Sequence, residues 1–578
     1  MFTKVDVCYR WLHHFFTARS FTYFWFALSL TVVLIYSLLG LQEAFISDYF
    51  VQDDARQHVF WMRRFLDPSL FPNDLIANYF QTVAPWGYRF VYWLPAQLGI
   101  DPLLLNKFIP VFLNLLTAFF CFSVVLEILP IPFAAFSGTI LLAQSLGLLS
   151  QAIVSGTARS FLYPLFLAFI LFLLQKRLFS LLATIALQGL FYPQLLLITS
   201  VTLFIDLFTI KRGKLKLTSE QKNRYISILG LIVATIVILP FALNSNEFSP
   251  VITREQAMQL PEFFPQGRSE FFQDDDGSFS WWKGRSGLGL ASALTPVTNI
   301  LAFFIPFLML FPRAFPFTQK LSRNLILFPQ ILLASGVMFT ASHLLLFKLH
   351  IPSRYTEHSF RIIFSVTAGL VIVILIDAAF KFSQKSNFDS LLKKLIPLVT
   401  ILVLGIPLLG YPLLQDGFPT TGYKKGNAPA LYEFLKQQQH DIVVASLSLE
   451  GDYIPTFAQR SILVSPEYAI PYHWGYYQQF RQRTLDLITA QYSSDFDVVS
   501  QFIDQYQIKF WLLDRSSFTP EYLSNNNWLQ QYQPATKNAQ LKLEQGIVPL
   551  LETRRENCAV FENDKLVLLS SSCIISAN

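Results

Sequence analysis

The sequence predicts a polytopic α-helical membrane protein of about eleven transmembrane helices, followed by a C-terminal extracytoplasmic α/β domain. Three observations carry that reading. Of 578 residues, 53% are hydrophobic and only 14% charged, with 58 phenylalanines, which is more apolar surface than a soluble core absorbs. The basic residues gather in short loops between apolar runs, nearly all on one side. Beyond Pro412 the chain turns polar and alternates strand-like and helical segments. The net charge of +6 therefore reports topology and is no nucleic-acid signal.

The N-terminus is basic (Lys4, Arg10, Arg19), and no small-residue cleavage site follows the first apolar segment, Phe21–Leu41. That segment reads as an anchor with a cytoplasmic N-terminus. Residues 43–103 then form a long outer loop with two juxtamembrane helices, the first ending at Asp67-Pro68 and the second covering Trp86–Leu98. The aromatic residues of the second suit the headgroup zone. Further spans read at 104–128, 132–150, 159–175, 178–192, 193–210, 226–243, 290–311, 325–347, 361–380 and 395–415. Gly189 and Pro193 interrupt the run 178–210, and prolines crowd 290–316. The inner loops then carry Lys176-Arg177, the cluster from Lys211 through Arg224, the trio Arg313, Lys320 and Arg323, and Lys381, Lys385, Lys393 and Lys394. Residues 1–415 make up the membrane module and 416–578 the outer domain. Glu127, Asp206 and Asp377 lie near inner ends of spans, within reach of water, and no carboxylate falls near mid-membrane. That absence, with the lack of an internal repeat, counts against an ion-coupled carrier.

The stretch Ser47–His58 follows the first span directly and holds Asp53, Asp54, Arg56 and His58. With Asp53 as a helix cap, Asp54, Gln57, His58 and Trp61 share one face. Ala55, Val59, Met62 and Leu66 share another, apolar enough to lie on lipid. A catalytic or ion-binding pair at the membrane edge has this form, and so has a capped interfacial helix whose acids only solvate it.

Two other outer segments depart from their surroundings. Residues 244–289 form a polar loop with Glu255, Glu262, Glu270, Asp274-Asp275-Asp276, Trp281-Trp282 and three closely spaced glycines. It reads either as a loop that covers substrate or as an acidic linker. The other, Lys348–Arg361, is the one basic cluster on the outer side, with His350, Arg354, His358 and Arg361. Arginine forks suit phosphate; snorkelling onto lipid headgroups is the alternative.

In the outer domain, Ala428–Gln439, Tyr476–Tyr492 and Phe496–Gln505 read as helices, and Asp441–Ser446, Ser461–Ser465 and Lys509–Asp514 as strands of a partly parallel sheet. No Gly-x-Gly-x-x-Gly or Walker-type loop is present, nor a zinc or Gly-x-Ser-x-Gly motif. Cys8 falls in the inner tail and Cys121 in a span. Cys558 and Cys573 flank a hairpin (Ala559–Glu562 and Leu566–Ser570) in a compartment that permits a disulfide. A bridge closing so short a loop is worth about 3 kcal/mol on the chain-entropy model.

An inside N-terminus, one span, an acidic pair in a long first outer loop, many further spans and an outer C-terminal domain together resemble the GT-C superfamily of membrane glycosyltransferases. The runs from Gln52 through Pro72 and from Tyr476 through Arg515 are similar to uncharacterised bacterial members. The resemblance implies a bacterial inner-membrane enzyme taking sugar from a polyprenyl-phosphate carrier on the outer face, with membrane lipids as its other partners. It also implies that Asp53-Asp54 acts as a base or holds a divalent metal, Mg or Mn, with His58 beside them. No Trp-Trp-Asp-type acceptor motif stands in the outer domain, so a peptide acceptor has no support and the acceptor is open.

On this reading Asp54 or Asp53 takes the acceptor's proton. Arg354 and Arg361, followed by Lys348 and His358, meet the departing phosphate. The loop carrying Asp274, Asp275, Asp276, Trp281 and Trp282 closes over the site. The rival readings are a lipid or polysaccharide transporter, with the same charges as gates, and a non-catalytic cell-envelope assembly protein.

Overall fold

The structure, a computed structural model, describes residues 4–576 except 151, 212, 244, 245, 275 and 386–389. Asp275 and Arg212 thus lie outside the described residues, as do the side chains of residues 4–10, 210, 211, 242, 384, 385 and 390–394, among them Cys8 and three of the four inner lysines after the span 361–380.

Each expected span is occupied by helix, but not all are of full length. Among the described residues, six stretches are long and apolar enough to cross a membrane: Arg19–Ala44, Pro102–Ile128, Gln221–Phe241, Arg323–Leu344, Pro352–Ser383 and Leu395–Leu414. Leu162–Leu174, Leu178–Phe191 and Pro193–Asp206 have 13 or 14 residues. Such helices rise about 20 Å against a hydrocarbon core of about 30 Å. The break at Tyr192 comes where Pro193 starts a new helix. The stretch expected at 290–311 splits into Leu290–Ala293, a 3-10 turn over Val297–Phe304 and Ile305–Leu310, with Pro296 and Pro306 at the joints.

The central helix, Glu357–Lys385, packs against Pro132–Gly147, which is itself buried at every residue. The two approach closely because Gly369 meets Gly138; a Cβ on Gly369 would lie 2.3 Å from the Gly138 nitrogen. At the inner end Asp377 is buried, and it accepts from Lys381 and pairs with His13, each at 2.9 Å. That corrects the expectation that it reaches water: a lysine and a histidine satisfy it instead. Glu127 is exposed as expected.

The outer domain holds a five-stranded sheet in the order Ser461–Ile462, Val443–Ser446, Ile508–Asp514, Leu566–Ser570, Ala559–Glu562. The first three strands are parallel and the last two form the antiparallel hairpin. Trp474–Gln491 and Phe496–Tyr506 pack on it. Cys558 and Cys573 form a disulfide, their Cα atoms 5.4 Å apart.

What positions the site is a strand pair between distant parts of the chain. Phe50–Gln52 of the first outer loop pairs antiparallel with Tyr423–Lys425, where the outer domain begins. Asp53 and Asp54 follow directly. The helix there is shorter than expected, only Ala55–His58, and a 3-10 turn over Phe60–Phe65 continues it. Asp53 does not cap it; the Gln52 side chain accepts from the Ala55 N–H, and Asp53 turns to Arg56. Nor does its apolar face meet lipid. Ala55, Val59, Trp61 and Met62 are fully buried in a core shared with Tyr468, Leu463 and other outer-domain residues, leaving Leu66 exposed. The second helix, Trp86–Ala96, does present Trp86, Phe90 and Trp93 outward while Tyr88 and Tyr92 face in.

The orientation expected from the basic loops makes a prediction of its own. Single cysteines in the loops at 176–177, 214–222 and 313–323 are expected to resist an impermeant maleimide in intact cells, and cysteines in 416–578 to react. Labelling at 214–222 would reverse the assignment.

Candidate functional site

A cavity of about 900 Å³ opens where the first outer loop, the loop 244–289, the outer ends of the membrane helices and the outer domain meet. Asp53, Asp54, Gln57 and His58 line one wall, and Arg354, Glu357 and His358 another. The acidic and basic segments that the sequence set 300 residues apart therefore front one space. On its membrane side the lining becomes apolar, with Leu149, Ala152, Tyr192, Pro193 and Phe241.

The two acids have separate partners. Arg159 Nη2 donates to Asp54 Oδ2 at 2.6 Å. Burial works against the charged carboxyl, but Arg159, with His58, Arg354 and Arg268 behind it, outweighs burial and holds Asp54 below its ordinary value. Burial pushes His58 down, with Arg159 and Arg354 adding and Asp54 opposing, so its ring is neutral at pH 7. Asp53 accepts from Arg56 Nη2 at 2.5 Å, and the same guanidinium reaches Glu467 at 2.7 Å and Asp452 at 3.5 Å. Glu467 also accepts from Gln57 at 2.5 Å and from Arg268 at 2.9 Å. One outer-domain carboxylate thus ties the first outer loop to the loop 244–289. Burial, helped by Asp452 and Asp53 and opposed by Arg268 and Arg56, pushes it up to about 7.

The basic cluster does not act as a block. Arg354 sits on a 3-10 turn, Pro352–Tyr355, fixed by the Ser353 N–H donating to the Arg285 carbonyl. Its guanidinium faces the cavity and makes no hydrogen bond or ion pair to protein among the described residues. His358, one helical turn on, is held by Tyr163 at Nδ1 (2.8 Å), while its buried Nε2 has no partner. Arg361 lies a further turn down, outside the lining. It is 1% exposed and donates to the Ser145 carbonyl at 2.8 Å and to the Ser145 and Ser292 hydroxyls, bonds that fasten helices together. Lys348 is exposed and also outside the lining. His350 does line it, pushed down to about 3 by burial and by Arg354 and Arg285.

The loop 244–289 is folded rather than a bare linker. Phe248, Ile252, Phe263, Phe271 and Phe272 are buried, Glu262 is paired with Arg481 at 2.9 Å, and the Ile252 N–H donates to the Tyr472 carbonyl. Asp274 and Asp276 do not reach the cavity; both accept from Ser278 and close a local turn. Trp282 lines the cavity, whereas Trp281 packs on His343. What the loop brings to the site is cationic: Arg268, Lys283 and Arg285. Gly289, at φ +64°, lets the chain turn into Leu290–Ala293 with no Cβ to crowd Glu357. Arg159, Arg268 and Arg285 went unread in the sequence because each is a lone arginine in polar surroundings; only the fold converges them.

The residues here do not fit a divalent cation as they stand. Both acids are turned to guanidinium groups, and no three His, Cys, Asp or Glu side chains converge among the described residues.

No protein-family model matches the chain. No curated protein matches it either. Among solved structures it is similar to the oligosaccharyltransferase of Archaeoglobus fulgidus in several states. Against the enzyme tethered to an acceptor peptide containing the NVT sequon, identity is 13%, 89% of this chain and 72% of that chain are covered, and the TM-score is 0.55. Against the apo form these are 12%, 87%, 72% and 0.54. Against archaeal AglB in complex with an inhibitory peptide and a dolichol-phosphate they are 12%, 89%, 72% and 0.55. At such identity the likeness establishes the fold alone, which is that of the archaeal oligosaccharyltransferase.

Proposed function

We propose that this chain is a membrane glycosyltransferase that moves a sugar from a polyprenyl-phosphate-type donor to an acceptor on the outer face of a membrane. One observation carries the reading: Asp54 and Arg354, which has no hydrogen bond or ion pair to protein among the described residues, front a single cavity whose membrane edge is apolar. A polyprenyl tail suits that edge, and a phosphate suits the cationic wall of Arg354, Arg285 and Arg268. The dolichol-phosphate bound by the archaeal neighbour supports a donor of this class. The eleven-span topology, with residues 416–578 outside, belongs to the same proposal.

In the reaction the bond from the sugar's anomeric carbon to the phosphate oxygen breaks, and its electron pair leaves with the phosphate. The acceptor oxygen forms the new bond to that carbon and gives up its proton to Asp54. Arg354 stabilises the charge that grows on the phosphate. His358, donating from a protonated Nε2, supplements it at the cavity floor. A divalent metal, were one bound, would supply further charge to the phosphate; no step here needs it.

The test is sugar release from a polyprenyl-phosphate-linked sugar by the purified protein, with Asp54→Asn as the control. Release equal in the two proteins removes the reading. A pH dependence follows as well. Ionised Glu467 holds the Arg56 and Arg268 guanidinium groups more strongly than the protonated acid does, so transfer is expected to fall as pH drops through about 7. Glu467→Gln should lower transfer and abolish that limb. A limb near pH 7 that survives in Glu467→Gln assigns it to another group.

A further inference from the structure

The partner that the fold gives Asp54 is a guanidinium. Arg159 reaches it from a segment 105 residues further along, at 2.6 Å from Oδ2, and among the described residues nothing bonds to Oδ1. Asp54 is 22% exposed and Arg159 16%, so the pair is largely shielded from water. The segment that delivers Arg159, residues 155–160, contains no Asp, Glu, His or Cys. The neighbouring acid is already spent on Arg56. A divalent cation at Asp54 would lack further anionic ligands and would lie against two fixed positive charges.

We infer that Arg159 is the permanent counter-charge of Asp54, doing by a side chain what a divalent cation would otherwise do there. This rests on the glycosyltransferase reading and adds to it that transfer runs without a metal. Arg159 is a positioning residue. Its fork fixes one carboxylate oxygen and leaves the other to the acceptor. It also cancels the acid's charge, so that Arg354 and Arg285 keep theirs for the phosphate. Being planar and always protonated, a guanidinium holds this arrangement across the working pH range.

The experiment has a binding arm and a turnover arm. In the first, Mn²⁺ alone is titrated into purified wild-type protein and followed by the loss of the free-ion EPR signal. No stoichiometric binding is expected; one Mn²⁺ per chain, lost in Asp54→Asn, overturns the inference whether or not the protein turns over. In the second, EDTA is expected to leave sugar release unchanged, and EDTA-sensitive release restored by Mn²⁺ or Mg²⁺ overturns it. Arg159→Met should lose about 100-fold in release, the scale of one preorganised charge. Its residual activity should have an acid limb moved upward, because the carboxyl has lost its stabilising cation. Added methylguanidinium should restore part of the loss, and Arg159→Lys should retain more activity than Arg159→Met. Wild-type release in a folded Arg159→Met sinks the proposal. If that variant does not fold, the lysine variant and the Mn²⁺ titration decide. Absence of release from every polyprenyl-phosphate sugar tried, with no Mn²⁺ bound, would remove the functional reading and leave the metal-free assignment of Asp54 standing.

Discussion

Asp54→Asn is expected to lower sugar transfer by about 100-fold or more, the range of a lost general base, with carrier binding little changed. The substitution keeps the shape of the side chain and removes its charge. The acceptor then has no group to take its proton, while the phosphate-binding wall across the cavity is untouched. In kinetic terms kcat falls and the donor KM holds, the pattern of an interaction made chiefly in the transition state. The cost to folding is secondary. Arg159 loses its ion pair but stays 16% exposed, so the penalty is on the order of 1–3 kcal/mol, and a melting curve separates it from the catalytic loss. Asp53→Asn is the contrasting variant. Asp53 turns to Arg56 within the network around Glu467, so its loss should act on the packing of the outer domain at least as much as on turnover. Wild-type transfer in Asp54→Asn would leave the Ser47–His58 stretch as a structural joint between loop and domain.

Much of this was legible before any coordinates. Hydropathy located the six stretches long and apolar enough to cross a membrane, because membrane helices must satisfy their backbones internally and so betray themselves locally. The hairpin at 559–570 and the three parallel strands were readable for a similar reason: most are short apolar runs bounded by polar residues. The candidate site was readable only in outline. Asp54, His58, Arg354 and His358 could be singled out because each breaks a local rule. What each touches depends on contacts between segments hundreds of residues apart, and spacing carries no record of those. Arg361 broke the same rule as Arg354, yet two further turns set it outside the cavity lining, bonded to Ser145 and Ser292. The strand pair 50–52 with 423–425 was equally hidden, since three residues make no pattern. It is also why the apolar face of Ala55, Val59 and Met62, legible as a face, was assigned to lipid when the outer domain covers it.

Arg354→Ala is expected to weaken carrier binding and to slow transfer, by about 100- to 1,000-fold in kcat/KM, the scale of one preorganised charge removed from a developing anion. The phosphate is charged in the ground state and more so as the glycosidic bond breaks, so both KM and kcat should move. Stability should move little. The Arg354 guanidinium makes no hydrogen bond or ion pair to protein among the described residues, and Asp54 and Glu357, which favour its charge at longer range, keep Arg159 and Arg361. A folded protein that melts no lower than wild type yet binds carrier poorly is the signature of a side chain kept for its ligand. Arg361→Ala is expected to give the opposite pattern. It strips the Ser145 carbonyl and the Ser145 and Ser292 hydroxyls of a buried donor, so it should destabilise the helices by a few kcal/mol, about what one broken charged hydrogen-bond cluster costs. Carrier binding by titration, transfer by sugar release and a melting curve on both variants measure the contrast. Equal melting losses in the two would mean that Arg354 braces the fold, and the cavity's cationic wall would have to be rebuilt around Arg268 and Arg285.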